Sequence, residues 1–227
     1  MRAKTLLLAA ALSAVTLATV VAQTPVYSVN AVGYVNVTVP AGKFALLANP
    51  LNASSNTLSA VLPDAPNQTV VYVYDPAAGY TPITRRVVGG VGSWTGGQGG
   101  NTVIAPGKGF FVKAPAGADL NITFVGEVPQ GTGANALKVN LVPGYNLVGS
   151  IVPQEGKVTT DLKLAAASND QVVQWDPATQ GYVTKTFRVV GGTGQWVGGE
   201  PVIKVAEGFF FKAGAASTWT REFSVNQ

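Results

Sequence analysis

An internal repeat constrains the fold of this 227-residue chain more than any other feature of its sequence. Residues 74–94 align with residues 175–196 when Gln180 is treated as a single insertion, and 13 of the 21 aligned pairs are identical. Shorter matches flank this segment on both sides, so each copy spans about 90 residues, near the lower end of ordinary domain size. A repeat of this kind predicts one structural unit formed twice along the chain.

The repeat and its flanking sequence divide the chain into four predicted regions. They are a signal peptide (1–22), a first β-repeat with its N-terminal strand (23–126), a linker (127–136) and a second β-repeat (137–227). The signal peptide is predicted because Arg2 and Lys4 precede an apolar run that ends in the small residue Ala22. The alternative for this run is an N-terminal membrane anchor. With cleavage, the mature chain has no membrane span, and we expect a secreted protein, whether extracellular, at the cell surface or periplasmic.

Each copy consists of short strand-like segments separated by turn residues. Val35, Val37 and Val39 alternate with polar residues, the pattern of a strand with one buried face. The segments 70–74 and 109–112 are apolar at successive positions, which is typical of central strands buried on both faces. Because no crossover helices separate the strands, the pairing is predicted to be antiparallel. The predicted fold is all-β, with two tandem antiparallel β-sandwich or barrel-like repeats of about 90 residues.

The sequence also predicts local features within this fold. Residues 75–79, Asp-Pro-Ala-Ala-Gly, have the composition of a hairpin turn, because aspartate bonds the local backbone, proline fixes φ and glycine accepts a left-handed φ. One short helix is predicted near 57–62, capped by Ser55 or Asn56, with its counterpart near 160–165.

Arg221 interrupts the inward-facing pattern of its strand. It stands where the first copy has Ile122, and a buried guanidinium needs a partner or water. We expect the strand to lie at an edge, with Arg221 extending to solvent. A functional ion pair is the alternative.

Composition excludes several classes of function. The chain contains no His and no Cys, so a Ser-His-Asp triad, a thiol nucleophile, a zinc site built on His or Cys and a disulfide framework are all excluded. Lys and Arg number 15 against 11 Asp and Glu, and without Arg2 and Lys4 the balance is 13 against 11, a net charge of +2. This weak charge predicts no nucleic-acid partner.

Paired carboxylates are the remaining catalytic option. Of the eleven carboxylates, only Asp75 and Asp176 occupy matching positions in the two copies, and their turns explain them. The chain has no calcium-loop pattern, and its glycine-rich segment lacks the spacing of a phosphate-binding loop. We therefore expect no enzymatic activity, no cofactor and no metal site.

Aromatic residues in the glycine-rich loops are the strongest candidates for ligand contact. Tryptophan and tyrosine at one edge of a β-sandwich stack on sugar rings or anchor a protein partner. The structural alternative is that each tryptophan fills the open end of its sandwich, with the preceding arginine stacked on it by a cation–π contact. The candidate ligand-binding residues are Trp94, Trp196, Tyr80, Tyr182, Arg86 and Arg188.

Several motifs carry a resemblance to a known group of proteins. They are Asn-Ala-Val-Gly-Tyr-Val-Asn at 30–36, Leu-Ala-Asn-Pro-Leu at 47–51, Ile-Ala-Pro-Gly-Lys-Gly-Phe-Phe at 104–111 and Phe-Val-Gly-Glu-Val-Pro at 124–129. In these motifs the chain resembles an uncharacterised secreted β-rich family of verrucomicrobial-type bacteria. It is more loosely similar to β-modules of secreted Bacteroidetes proteins. The resemblance implies location and architecture and supplies no activity.

Together these observations predict an exported, non-catalytic β-domain protein with a structural, adhesive or surface-assembly role. The partners expected are a second copy of the chain, bound by strand addition, or a polysaccharide or other cell-surface component. The alternative function is a carbohydrate-binding module that uses the paired loop tryptophans. A histidine-free glycosidase or lyase ranks third.

Overall fold

The computed structural model describes residues 31–225, so the predicted signal peptide at 1–22 lies outside the described residues. Strands make up 51% of the structure and helices 5%, which confirms the all-β prediction. The strands of the first half are β1 (Val32–Val39), β2 (Phe44–Ala48), β3 (Val70–Asp75), β4 (Gly79–Val88), β5 (Val91–Thr95), β6 (Gly109–Lys113) and β7 (Leu120–Glu127). Those of the second half are β8 (Leu137–Leu141), β9 (Gly144–Gly149), β10 (Gly156–Lys157), β11 (Gln171–Asp176), β12 (Gly181–Val190), β13 (Thr193–Trp196), β14 (Val202–Ile203), β15 (Gly208–Ala213) and β16 (Ser217–Arg221). The helical elements are α1 (Leu58–Val61) and two 3₁₀ turns at Gly99–Asn101 and Gly133–Asn135.

Each half contains one five-stranded antiparallel sheet, and the strand order is the same in both. Sheet 1 runs β2-β6-β3-β4-β5, and sheet 2 runs β9-β15-β11-β12-β13. The first and last strands of each half form separate two-stranded sheets, β1 with β7 and β8 with β16. The sheets are not closed into barrels, so the sandwich is the form that the chain adopts.

A hydrophobic core lies between the five-stranded and the two-stranded sheet of each half. In the first half, Phe110 and Val112 of β6 pack with Ile122 and Phe124 of β7. Strand β7 is buried at every second position from Leu120 to Phe124, as its alternating sequence predicts. In the second half the equivalent core contains Phe209, Phe211 and Trp219. Each repeat unit is thus a β-sandwich with its own core.

A third core joins the two halves. It is formed by the opposite faces of the two five-stranded sheets, and its buried members are Leu46, Phe111, Leu147, Val173 and Phe210. These sheets therefore stack in the order β1/β7, sheet 1, sheet 2 and β8/β16, and β10 with β14 forms a further, short two-stranded sheet. This arrangement buries β6 and β15 on both faces, which explains their unbroken apolar sequences.

Reciprocal backbone hydrogen bonds relate the halves by an approximate two-fold axis. The Ala48 N–H donates to the Ala206 carbonyl (2.9 Å), and the Gly149 N–H donates to the Gly107 carbonyl (3.1 Å). The alignment pairs residue 48 with 149 and residue 107 with 206, so the two bonds are equivalent contacts made in opposite directions. Ala206 holds a φ of 62° at the position where the first half has Gly107, so the left-handed backbone is retained even with a side chain.

The predicted turn is confirmed, whereas the predicted pair of helices is only half correct. The N–H groups of Ala77 and Ala78 donate to Asp75 Oδ1 at 2.8 and 2.9 Å, and Gly79 has a φ of 79°. Helix α1 begins after Thr57, with no side-chain capping bond, so the capping roles expected for Ser55 and Asn56 are wrong.

The helix predicted near 160–165 does not form. The Glu200 carboxylate accepts the N–H groups of Thr159 and Thr160 at 2.6 and 2.7 Å, and Lys163 has a left-handed φ of 59°. These contacts hold residues 158–161 in a turn. A local propensity is overridden here by a side chain some forty residues away.

The solvent-exposed position expected for Arg221 is wrong. Its side chain is 3% exposed, like Ile122 at the matching position of the first half. The guanidinium donates to Ser150 Oγ at 3.4 Å and to Gln154 Oε1, so the segment after β9 supplies its partners. Burial lowers the pKa of Arg221 from its ordinary value.

The predicted linker is bonded into the structure. Strand β7 extends through Glu127, and Gly131 exchanges two backbone hydrogen bonds with Phe223, at 2.9 and 3.0 Å. The 3₁₀ turn at Gly133–Asn135 begins where the Gly133 N–H donates to Glu222 Oε1 at 3.0 Å.

The close approach of the two halves predicts a strict requirement for glycine at position 149. A Cβ atom there would overlap Ala48 Cβ and lie 2.9 Å from the Glu207 carbonyl oxygen. Gly149→Ala is expected to lower the free energy of unfolding by about 1–3 kcal/mol, the usual cost of overpacking. Urea denaturation measures this change. Gly117→Ala is the matched control, because a Cβ at Gly117 meets nothing within 4 Å. Equal stability of the two variants would contradict the packing described here.

Candidate functional site

An exposed aromatic cleft lies where the two five-stranded sheets meet. Its rings come from equivalent strands of the two halves, and they contact one another in a continuous network. The rings of the aromatic cleft are Phe44, Tyr72, Tyr74, Tyr80 and Phe111 of the first half and Tyr145, Trp175, Tyr182 and Phe210 of the second.

Ring contacts across the junction follow the approximate two-fold axis. Phe111 meets Trp175 edge to face, with centroids 5.2 Å apart and an interplanar angle of 89°. Phe210 meets Tyr74 in the equivalent way, at 5.2 Å and 90°. Edge-to-face pairs of this kind contribute about 0.5–1.5 kcal/mol each beyond the area that they bury. The network therefore both joins the halves and holds its own rings in fixed orientations.

Tyr80 and Tyr182 occupy the centre of the cleft. They are equivalent residues of the two copies, and they are 43% and 54% exposed. Desolvation raises the pKa of the Tyr80 phenol well above its ordinary value, and the neighbouring phenol of Tyr182 adds to the shift. The Tyr80 side chain therefore stays neutral over the physiological pH range, and its phenol group can both donate and accept hydrogen bonds.

Two hollows open on either side of this tyrosine pair. Hollow 1 has a volume of about 350 Å³, and its lining is entirely aromatic: Phe44, Tyr72, Tyr80, Phe111, Trp175 and Tyr182. Hollow 2 has a volume of about 370 Å³ and is lined by Tyr74, Tyr145, Val173, Tyr182, Thr184 and Phe210. Most lining residues of hollow 2 are the repeat equivalents of those of hollow 1, and Tyr182 belongs to both. The hollows are thus adjacent and related by the same approximate two-fold axis.

Lysine side chains close the two ends of the cleft in the same manner. The Lys113 ammonium lies 5.3 Å from the centre of the Phe44 ring, and the Lys212 ammonium lies 5.6 Å from the centre of the Tyr145 ring. Phe44 and Tyr145 are equivalent residues, as are the two lysines. Each positive charge is thus directed at an aromatic face.

Gln180, the single insertion in the repeat alignment, has a structural role beside hollow 1. Its Oε1 accepts the Phe44 N–H at 2.8 Å, and its Nε2 donates to the Phe44 carbonyl at 3.1 Å. The amide therefore pairs with the edge strand β2 as a neighbouring strand would. Trp175 Nε1 donates to the same carbonyl at 3.1 Å. The insertion thus attaches the β11/β12 hairpin of the second half to the first.

The tryptophans predicted to contact ligand lie in the two sandwich cores. Trp94 is 7% exposed and Trp196 is 8% exposed, and each belongs to the core of its own half. Trp196 Nε1 donates to Thr159 Oγ1 at 2.9 Å. This placement agrees with the structural alternative, in which each indole fills its sandwich. Ligand contact through these two rings stays a prediction.

The cation–π partners predicted for the tryptophans are wrong. Arg85, and not Arg86, lies over Trp94, 5.5 Å from the ring, because Arg85 is the direct cross-strand neighbour of Trp94. In the second half that neighbour is Phe187, whose ring meets Trp196 at 5.2 Å.

Strand alternation explains where the two predicted arginines lie. Neighbouring residues of a strand face opposite sides of the sheet, so Arg86 and Arg188 point away from the tryptophans and are exposed. Arg188 donates to Asn169 Oδ1.

Of the six candidate residues, the structure brings Tyr80 and Tyr182 together, far from the buried indoles. The other rings of the cleft were not among the candidate residues predicted from the sequence. Their signal is the occurrence of aromatic residues in the apolar strands β3, β6, β11 and β15.

Several of the carboxylates that the structure describes bond backbone N–H groups of turns and loops. Asp176 accepts from Ala178 N at 2.9 Å and from Thr179 Oγ1 at 2.8 Å, much as Asp75 does in the first half. These bonds hold the pKa of both carboxyls below their ordinary value. Asp170 and Glu200 bond loop N–H groups in the second half. Within residues 31–225, no three acidic side chains converge in a way that could hold a metal ion.

No protein-family model, curated protein or solved structure matches this chain. None of the helices in the described part of the chain is long and apolar enough to cross a membrane.

The two hydrogen bonds of Gln180 are expected to stabilise the junction between the two halves by a measurable amount. Gln180→Asn keeps a residue that accepts the observed left-handed φ of 53° but is one methylene too short to reach Phe44. We expect a loss of about 1–2 kcal/mol in the free energy of unfolding, since each hydrogen bond contributes about 0.5–1.5 kcal/mol.

Hydrogen exchange of the Phe44 amide measures this effect directly, and the amide should exchange faster in the variant. Gln195→Asn, at an exposed position of β13, serves as the control. Unchanged exchange at Phe44 in Gln180→Asn would show that the insertion does not hold the junction.

Proposed function

We propose that this chain is an exported, non-catalytic β-protein with a structural, adhesive or surface-assembly role. One observation carries the proposal: the two five-stranded sheets each keep one open edge, at equivalent positions of the repeat. These edges are β5 and β13, the last strands in the order of sheets 1 and 2. Open edges pair with further strands, so two per molecule would support extended assemblies.

The opposite edges of the same sheets are covered by the other half. Strand β2 is bonded by Gln180 at Phe44 and by Ala206 at Ala48, and β9 is bonded by Gly107 at Gly149. Within the described residues, no strand covers β5 or β13 in this way. Each five-stranded sheet thus has one edge that is bonded by the other half and one edge that is open.

The sequences of the open edges lack two of the common protections against pairing, lysine and proline. Native edge strands commonly carry lysine or proline, which block addition of another strand. Strands β5 (Val-Gly-Ser-Trp-Thr) and β13 (Thr-Gly-Gln-Trp) contain neither. The hairpin tips beside them also expose aliphatic side chains, with Val88 79%, Val91 74% and Val190 68% exposed. This surface favours self-association through the outer edges.

The remaining parts of the proposal have separate support. The turn and loop contacts of the described carboxylates support a non-catalytic role, since these groups are already used in holding the backbone. The basic, apolar and small-residue pattern of residues 1–22 supports export. The resemblance to a secreted β-rich bacterial family supports the same location.

The alternative function, binding of a polysaccharide, is favoured by the exposed tyrosines of the aromatic cleft rather than by the buried tryptophans.

Assembly predicts that positive charges placed on both open edges keep the chain monomeric. Ser93 and Gln195 are exposed equivalents on β5 and β13, opposite Arg86 and Arg188. The double variant Ser93→Lys, Gln195→Lys therefore places like charges across each edge pair. In size-exclusion chromatography with light scattering, the wild-type mature chain should increase in mass with concentration, and the variant should not.

A control with the same added charge separates edge pairing from general repulsion. Ala78→Lys with Ala178→Lys places two lysines in the exposed turns, away from both edges. This control should associate like the wild-type chain. A wild-type chain that stays monomeric at every concentration, or equal loss of association in both double variants, would refute the assembly role.

A further inference from the structure

We propose that the aromatic cleft binds an uncharged glycan chain, with hollows 1 and 2 as adjacent subsites for sugar rings. This site is separate from the proposed assembly surface, because it lies between the facing sides of sheets 1 and 2, whereas assembly uses the edges β5 and β13. Either property can therefore fail without affecting the other.

The lining of the cleft selects an uncharged ligand. None of the residues that line hollow 1 or hollow 2 carries a charge. The lysines at the two ends of the cleft, Lys113 and Lys212, lie over the Phe44 and Tyr145 rings. The Tyr80 phenol is neutral, since burial raises its pKa. A charged ligand would lose water in this uncharged lining, and the two lysine ammonium groups are already directed at ring faces.

The combination of ring faces and hydroxyl groups matches the chemistry of a pyranose. One side of a sugar ring presents C–H groups, which pack on an aromatic face, and its rim presents hydroxyls. Tyr80 and Tyr182 offer both an exposed ring and a phenol that donates and accepts hydrogen bonds. Hollow 1 adds four further aromatic walls, including Trp175, which is partly buried. Concave, mainly aromatic sites of this size are typical of small-molecule and saccharide recognition.

The arrangement of the hollows favours a chain over a single sugar. Each hollow measures about 350–370 Å³, the two share Tyr182 as a common wall, and they are related by the approximate two-fold axis. Neighbouring sugars of one chain would then occupy both hollows, and the second contact would gain from the high effective concentration that the first creates. A longer saccharide should therefore bind more tightly than a disaccharide.

Trp175 supplies a direct optical readout of hollow 1. It is the one tryptophan among the lining residues, and the other three, Trp94, Trp196 and Trp219, are at most 8% exposed in the cores. Titration of the mature chain with neutral hexasaccharides of β-1,4-linked glucose, xylose, mannose and N-acetylglucosamine should change the fluorescence of Trp175 with at least one of them. Benzyl alcohol and a proline-rich peptide are titrated in parallel, because small aromatic compounds and polyproline segments also dock on aromatic surfaces.

Tyr182→Ala removes the wall that both hollows share. We expect it to weaken hexasaccharide binding about tenfold, the loss of one good aromatic contact. Tyr34→Ala is the matched control, since Tyr34 is 70% exposed on β1, in a different sheet from the cleft. Thermal unfolding of both variants verifies that they are folded.

A second variant tests the cleft without removing any packing. Thr184 is exposed and lines hollow 2, so Thr184→Trp should fill that hollow. By calorimetry, it should weaken the hexasaccharide about tenfold and leave the matching disaccharide, bound in hollow 1, unchanged. This test holds even when Tyr182→Ala fails to fold.

Several results would overturn the proposal. They are no response of Trp175 to any neutral hexasaccharide, a response to benzyl alcohol or the proline-rich peptide alone, and wild-type hexasaccharide affinity in Tyr182→Ala or Thr184→Trp. Each of these leaves the self-association experiment on β5 and β13 unaffected, so failure of this site and failure of the assembly role are distinguishable.

Discussion

Packing between the facing sides of the two five-stranded sheets determines the rest of this structure. Each sheet already buries one face in its own sandwich core, and the aromatic and aliphatic residues on its other face need a second cover. Full burial of a residue such as Phe111 or Phe210 contributes about 1.5–3 kcal/mol relative to exposure. A single unit would leave this face in water. Two copies of the unit in one chain cover each other, which gives the approximate two-fold arrangement and its reciprocal hydrogen bonds.

The same packing decides which surfaces stay available. It brings the inner edges β2 and β9 against the other half, where Gln180, Ala206 and Gly107 bond them, and it leaves β5 and β13 outermost. Because β-sheets twist, two facing sheets pack closely at the centre and separate toward their margins. The hollows are lined by rings of both sheets and open beside the exposed Tyr80 and Tyr182. One interface thus accounts for the sealed edges, the open edges and the aromatic cleft.

Much of the fold could be predicted from the sequence because its determinants are local. The alternation of Val35, Val37 and Val39 and the Asp75 turn depend on residues within a few positions, and both are confirmed. The helix predicted near 160–165 failed because Glu200, distant in sequence, bonds its backbone. Prediction of the aromatic cleft failed for the same reason, because it depends on contacts between residues distant in sequence. Apolar residues on both faces of β6 predict that a second face is buried, but the sequence does not say that the other repeat covers it.

Native-state hydrogen exchange in low urea tests this interface most directly. Because the two halves are joined through the rings around Phe111 and Phe210, the slowest amides of β6 and β15 should open in one shared event, with the same free energy and the same dependence on urea. Phe210→Ala should then lower that free energy equally in β6, which lies in the first half, and in β15. Separate opening energies for the two strands, or an effect of Phe210→Ala confined to β15, would contradict the account.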